Sequence, residues 1–189
     1  TTSASTQRQG IQRAAAQHGV EVHVLPVQLP YVHVPPAQHR VQQLTSDLAD
    51  LHSQTIEKEL DAGHGACYLR QPEIAELVQN AMKHFDGERY NLLAWCIMPN
   101  HVHVLVSPGE GDSLDRIVAG WKRFTGTRIN ARTGARGAFW QKDYFDRLIR
   151  DWDHFMNVAR YIRCNTVKAK LPVGSFVAYE APWVERLLS

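Results

Sequence analysis

Apolar and polar positions repeat in more than one rhythm along this chain of 189 residues, and each rhythm predicts an element. Leu44 to Leu60 places apolar residues at 44, 48, 51, 56 and 60, a helical stripe that ends at "DAGHG". "RQPEIAELVQNAMKHF" follows, with Pro72 at a first-turn position and apolar residues at 74, 75, 77, 78, 81, 82 and 85, which predicts a second helix. Tyr90 to Met98 is an apolar run of strand length. "PN" breaks it and His101 to Ser107 continues as a partner strand, an antiparallel hairpin. Ser113 is placed to cap a helix running to about Arg132, with Leu114, Ile117, Val118, Trp121, Phe124 and Ile129 on one side. "TGARG" reads as a flexible basic loop, "AFWQKDYFDRLIR" as a strand, and "DWDHFMNVARYIRCN" as a helix.

The two ends are less patterned. Thr1 to Val20 is polar and Ala/Gln-rich and reads as a tail. Val20 to Pro36 alternates like a strand but carries four prolines, which restrict it to a sheet edge or to extended structure outside the ladder. "PVGSFVAYEAPWVERLLS" looks irregular, with a short last turn of helix. From residue 72 the order is helix, strand, strand, helix, strand, helix. One strand at Val20–Val27 would complete β-α-β-β-α-β, an α+β ferredoxin-like fold. The expected organisation is a flexible tail over 1–19, one folded domain over 20–171 and a C-terminal tail over 172–189.

Composition narrows the class. A 44% hydrophobic content with five Trp supports a real core, and 21% charged residues argues against wholesale disorder. The formal net charge of +2 hides an asymmetry. Between Arg116 and Arg150 stand nine Lys/Arg (116, 122, 123, 128, 132, 136, 142, 147 and 150) against two acids, Asp143 and Asp146. A local excess of this kind points to an anionic partner. Three widely spaced cysteines fit neither a disulfide framework nor a zinc clip. No apolar run approaches membrane-span length and no signal-peptide core is visible, so a cytoplasmic location and no membrane partner are expected.

His101 and His103 sit one residue apart in an apolar strand, in "AWCIMPNHVHVLV". Residues i and i+2 of a strand share a face, so the two imidazoles project side by side while Val102, Val104 and Val106 pack behind them. Such a pair suits one metal ion, yet an isolated HxH equally describes a solvent-facing hairpin with no ligand.

The setting adds to this. Apolar–His–apolar–His–apolar is the pattern of the HUH single-strand DNA endonucleases. The wider string "LLAWCIMPNHVHVLVSP" resembles the single-tyrosine transposases of the IS200/IS605 kind, above all the REP-associated tyrosine transposases. The resemblance continues through "GWKRFTGTRIN", "GAFWQKDYFDRLIRD" and "VARYIRCNTVKAKL" and covers about residues 63 to 171. It implies that Tyr161 is the nucleophile, with Thr166 standing where the family has proline. It further implies that Asn165, one helical turn after Tyr161, joins His101 and His103 around Mg²⁺ or Mn²⁺. These ligand types also admit zinc. The implied activity is a metal-dependent endonuclease and strand transferase on single-stranded, hairpin DNA, working through a 5′-phosphotyrosine. Lys122, Arg123, Arg128, Arg132, Arg136, Lys142 and Arg147 are the expected DNA-binding residues. Tyr144 is the rival tyrosine, and a non-cleaving hairpin binder is the rival function. Either a monomer or a homodimer is compatible with the resemblance.

Overall fold

The computed structural model describes residues 20–26, 67–142, 144–149, 151–168 and 176–189. Among them β1 (Val20–Pro26), β2 (Tyr90–Ile97), β3 (His101–Pro108), β4 (Phe145–Ile149) and β5 (Val177–Glu180) form one sheet in the order β4-β1-β3-β2-β5. Every neighbouring pair is antiparallel. The helices are α1 (Pro72–Lys83), α2 (Leu114–Thr133), α3 (Trp152–Lys168) and α4 (Pro182–Leu188). The first four strands with α1 and α2 make the expected β-α-β-β-α-β arrangement, so the fold is ferredoxin-like α+β.

Local chemistry accounts for the helix limits. In α1, Pro72 occupies the first turn and Ile74, Ala75, Val78, Ala81 and Met82 are buried at spacings of three and four. At the start of α2 the Ser113 hydroxyl accepts from the Arg116 amide at 3.4 Å, and Gly134 ends it in the left-handed region at φ 70°.

Four expectations change. The proline-broken first strand is central rather than an edge, lying between β4 and β3. Pro26 is its last residue, opposite His101, so the missing N–H falls where the ladder stops. The expected irregular tail over 172–189 supplies β5, which pairs with β2 from Ala94↔Glu180 to Ile97↔Val177, and then α4. Phe124 is 42% exposed rather than inward-facing. The strand expected across "AFWQKDYFDRLIR" is confined to Phe145–Ile149, while Phe139 and Trp140 are buried in the core. The tail over 1–19 and the helix expected over 44–60 lie outside the described residues.

The sheet has a core on each face. Val102, Val104 and Val106 of β3, with Leu92, Trp95 and Ile97 of β2, pack against α1 and α2. Leu105, Leu93, Ala94, Cys96 and Met98 point the other way, onto Phe155, Met156, Ala159 and Ile162 of α3 and Val184 of α4. A stacked series runs through that second layer: Trp152 on Phe155 at 5.4 Å and Phe155 on Trp183 at 5.6 Å between ring centroids. The alternation of β2 is reset by a bulge between Leu92 and Ala94.

A buried hydrogen-bond chain closes the first layer. The Tyr90 hydroxyl donates to the Met82 carbonyl at 2.6 Å and accepts from Trp121 Nε1 at 2.9 Å, tying β2 to both helices. Tyr90→Phe leaves a buried donor and a buried acceptor without this partner, so it is expected to cost about 1–3 kcal/mol. Urea unfolding measures it, and a loss below about 0.5 kcal/mol would show the two groups finding other partners.

Candidate active site

Strand alternation brings His101 and His103 to the face that α3 covers, and both are fully buried there. His101 Nε2 lies 2.8 Å from His103 Nε2, and the Asn165 side-chain amide lies 2.8 Å from that same His103 nitrogen. Behind the pair, His101 Nδ1 is 2.8 Å from Asn100 Oδ1. An amide oxygen only accepts, so His101 carries its proton on Nδ1 and turns the Nε2 lone pair toward His103.

Proton counting then tests whether a cation fits. If His103 Nε2 carries a hydrogen, it can donate to His101, and the Asn165 N–H groups have no acceptor there. If it is bare, it can accept from Asn165 but meets the His101 lone pair at 2.8 Å. With both amides in these orientations, no placement of protons satisfies both contacts. Among the described residues Asn165 Oδ1 is buried with no hydrogen-bond partner. Turning the Asn165 amide over would add that oxygen to the two imidazole lone pairs. Two neutral imidazoles and one amide oxygen are a donor set that fits a divalent cation. Among the described residues there is no group of three His, Cys, Asp or Glu placed to hold a metal, so the third ligand here would be an amide.

Burial also keeps the imidazoles in their ligating form. It holds His101 down at about 4, and it holds His103 well below the usual imidazole value, with the neighbouring His101 adding to the effect. Both are neutral at pH 7. In metal-free protein, stability is fully present above pH 6.5, where the unfolded chain also carries neutral imidazoles. As pH falls toward about 4 the unfolded chain takes up protons that folded His101 refuses, and stability drops. The His101 share of that loss is expected to be roughly 3 kcal/mol. Urea unfolding of chelator-treated protein between pH 7 and 4.5 measures it. His101→Gln should flatten the profile, and an unchanged profile in that variant would contradict the assignment.

Tyr161 and Asn165 are one turn apart on α3 and share its inward face. The Tyr161 ring stands edge-to-face on His103, with centroids 5.4 Å apart at 87°. Thr166, where the family resemblance expects proline, is buried, and α3 continues through it to Lys168. Tyr144 is excluded from this cluster. It packs with the α1/α2 core on the other face of the sheet, and its hydroxyl donates to Asp115 Oδ1. Asn100 was not singled out by sequence reasoning; its signal is its place directly before His101 in "PNHVH".

The basic residues are elsewhere. Those on α2 belong to the helix layer opposite the His101/His103 face. Lys122 Nζ donates to the Gln141 carbonyl at 2.9 Å and lies over the Tyr144 ring, linking α2 to the following loop. Arg128 stacks on exposed Phe124 at 3.7 Å, a planar cation–aromatic surface open to solvent. Arg132 reaches the Glu73 carbonyl at 3.4 Å. Arg123, Arg136 and Lys142 are exposed. The "GARG" loop is pinned by Asn130, which donates to the Gly137 carbonyl at 2.6 Å. Arg147 lies on β4, and its side chain is outside the described residues.

Comparison with known proteins adds three findings. The family model described as "Transposase IS200 like" matches residues 69–165, just over half of the chain, and the span contains His101, His103, Tyr161 and Asn165. A solved structure of a REP-associated tyrosine transposase bound to a REP hairpin is similar over 80% of this chain and 68% of that chain, with 16% identity and a TM-score of 0.48. A comparison with curated proteins finds no match.

Proposed function

This chain belongs to the IS200-like transposase family, and from that premise we propose that it nicks and joins single-stranded DNA beside a hairpin, with Tyr161 as nucleophile. The observation that carries this reading is the convergence of His101, His103 and Asn165 under the Tyr161 ring. His101, His103 and Asn165 would hold a divalent cation, Mg²⁺ or Mn²⁺, which when bound would supply Lewis-acid polarisation of the scissile phosphate. Asn100 fixes the His101 tautomer, and the buried strand holds both imidazoles neutral. α3 aims the tyrosine at the same spot.

The chemistry balances without an energy source. The Tyr161 oxygen forms a bond to phosphorus as its proton is lost, and the bond from phosphorus to the 3′ oxygen breaks. The 3′ oxygen leaves as a hydroxyl, and the 5′ side stays on the protein as a phosphotyrosine ester. Attack by another 3′-hydroxyl reverses the exchange, joins two strands and restores the phenol. The exposed cations Arg123, Arg128, Arg136 and Lys142 would contact backbone phosphates.

Incubation with a labelled hairpin carrying a single-stranded flank tests this. With Mn²⁺ a covalent protein–DNA adduct should survive denaturing electrophoresis, and with chelator it should not. One observation favours a second reading, a hairpin binder that does not cut: the basic α2 layer is separate from the histidines. Salt-dependent binding that survives loss of both His101 and His103, with no adduct under any divalent metal, would establish that reading instead.

A further inference from the structure

The tyrosine helix is attached to the sheet by one directional contact that the chemistry above does not use. Arg163 is two residues after Tyr161, on a different side of α3. Its Nε donates to Glu180 Oε1 at 2.8 Å, and one terminal nitrogen donates to Glu180 Oε2, a two-point fork on one carboxylate. Its other terminal nitrogen donates to the Leu188 carbonyl at 3.0 Å. The pair is largely shielded, with side-chain exposures of 33% and 15%.

Glu180 is the last residue of β5 and is paired across the ladder with Ala94 of β2. Two residues along, Cys96 of β2 is paired with His103 of β3. A closed circuit results: His103 to β2, β2 to β5, Glu180 to Arg163, and Arg163 through α3 to Tyr161, whose ring returns to His103. At the other end of the site α3 meets β3 through the Asn165–His103 contact, and between the two it packs its apolar residues on Leu105, Cys96 and Met98. Apolar contact is non-directional and fixes neither the rotation nor the axial position of a helix. The planar fork of Arg163 restrains both from the β5 side, beside the Asn165–His103 contact.

We propose that Arg163 is a positioning residue, and that through Glu180 it sets where Tyr161 stands over the histidine pair of its own chain. The effect on cleavage rests on the function proposed above, whereas the effect on ring placement does not. A displacement of about 1 Å at a reacting group costs up to about 10²-fold in rate. Arg163→Ala is therefore expected to bind hairpin DNA with the parental Kd and to form adduct about 10- to 100-fold more slowly in single turnover. Arg163→Lys keeps the charge but loses the fork and should fall between the two. The double exchange Arg163→Glu with Glu180→Arg should recover part of the rate.

A second readout is independent of activity. In protein with ¹³C-labelled histidine and valine, the edge-to-face Tyr161 ring shifts the His103 imidazole proton signals by its ring current. Arg163→Lys, the milder change, should move those signals while leaving the Val104 methyl signals in place. Parental adduct rate together with unmoved imidazole signals in Arg163→Lys and Arg163→Ala would overturn the proposal. If the parent itself forms no adduct but the imidazole signals move in the variants, cleavage is refuted and the positioning role stands.

Discussion

Tyr161→Phe is expected to bind hairpin DNA as the parent does and to form no covalent adduct, a loss of at least about 10³-fold. The substitution removes one oxygen from a half-buried ring whose edge-to-face contact with His103 does not need it. Helix α3 keeps its buried residues Phe155, Ala159 and Ile162, so the site geometry should persist. Tyr144→Phe is the matched control. It also deletes a phenol oxygen, but from the opposite side of the sheet, and should leave the adduct at parental level. Adduct formation that survives in Tyr161→Phe and disappears in Tyr144→Phe would assign the nucleophile to the other tyrosine.

His103→Ala is expected to abolish both cation binding and cleavage. His103 Nε2 is the atom that touches both other members of the cluster, so its removal leaves His101 and Asn165 without a common centre. Binding of Mn²⁺ to the native state stabilises it by mass action, about 2.7 kcal/mol at one hundred times Kd. Thermal unfolding with and without Mn²⁺ reads this directly: a rise in Tm for the parent, reversed by chelator, and none for His103→Ala. His84→Ala, just beyond α1 in the other layer, should retain the rise. A parent whose Tm ignores Mg²⁺ and Mn²⁺ alike would remove the cation from the site.

How much of this was legible in the sequence depends on the range of the interactions involved. The hairpin at "PN" and the helices at 72 and 113 are set by local periodicity and caps, and the structure follows them within a residue or two. The side-by-side imidazoles follow from strand geometry alone. The first strand was doubtful because its prolines were weighed together, whereas only Pro26 lies within it, at the terminal position where the ladder does not need its N–H. β5 was missed because "VAYE" is too short to show a period, and its existence depends on pairing with a strand far earlier in the chain, from Ala94↔Glu180 to Ile97↔Val177. Arg163 was missed for the same reason, since its partners are supplied only by that distant pairing. The inward placement of Phe124 failed because helical spacing gave it to the apolar stripe, while Arg128 stacks on it at the surface.

The bulge in β2 makes two single-residue deletions unequal. Leu92 faces α1 and α2, Leu93 and Ala94 both face α3, and Trp95 returns to the first side, so Leu93 is the residue that the ladder does not count. Without it, the rest of β2 would alternate in phase and Trp95, Cys96 and Ile97 would keep their faces. Without Val102, His101 and His103 would become neighbours on β3 and point to opposite faces. The first loss would straighten a strand, and the second would divide the two imidazoles between two hydrophobic cores.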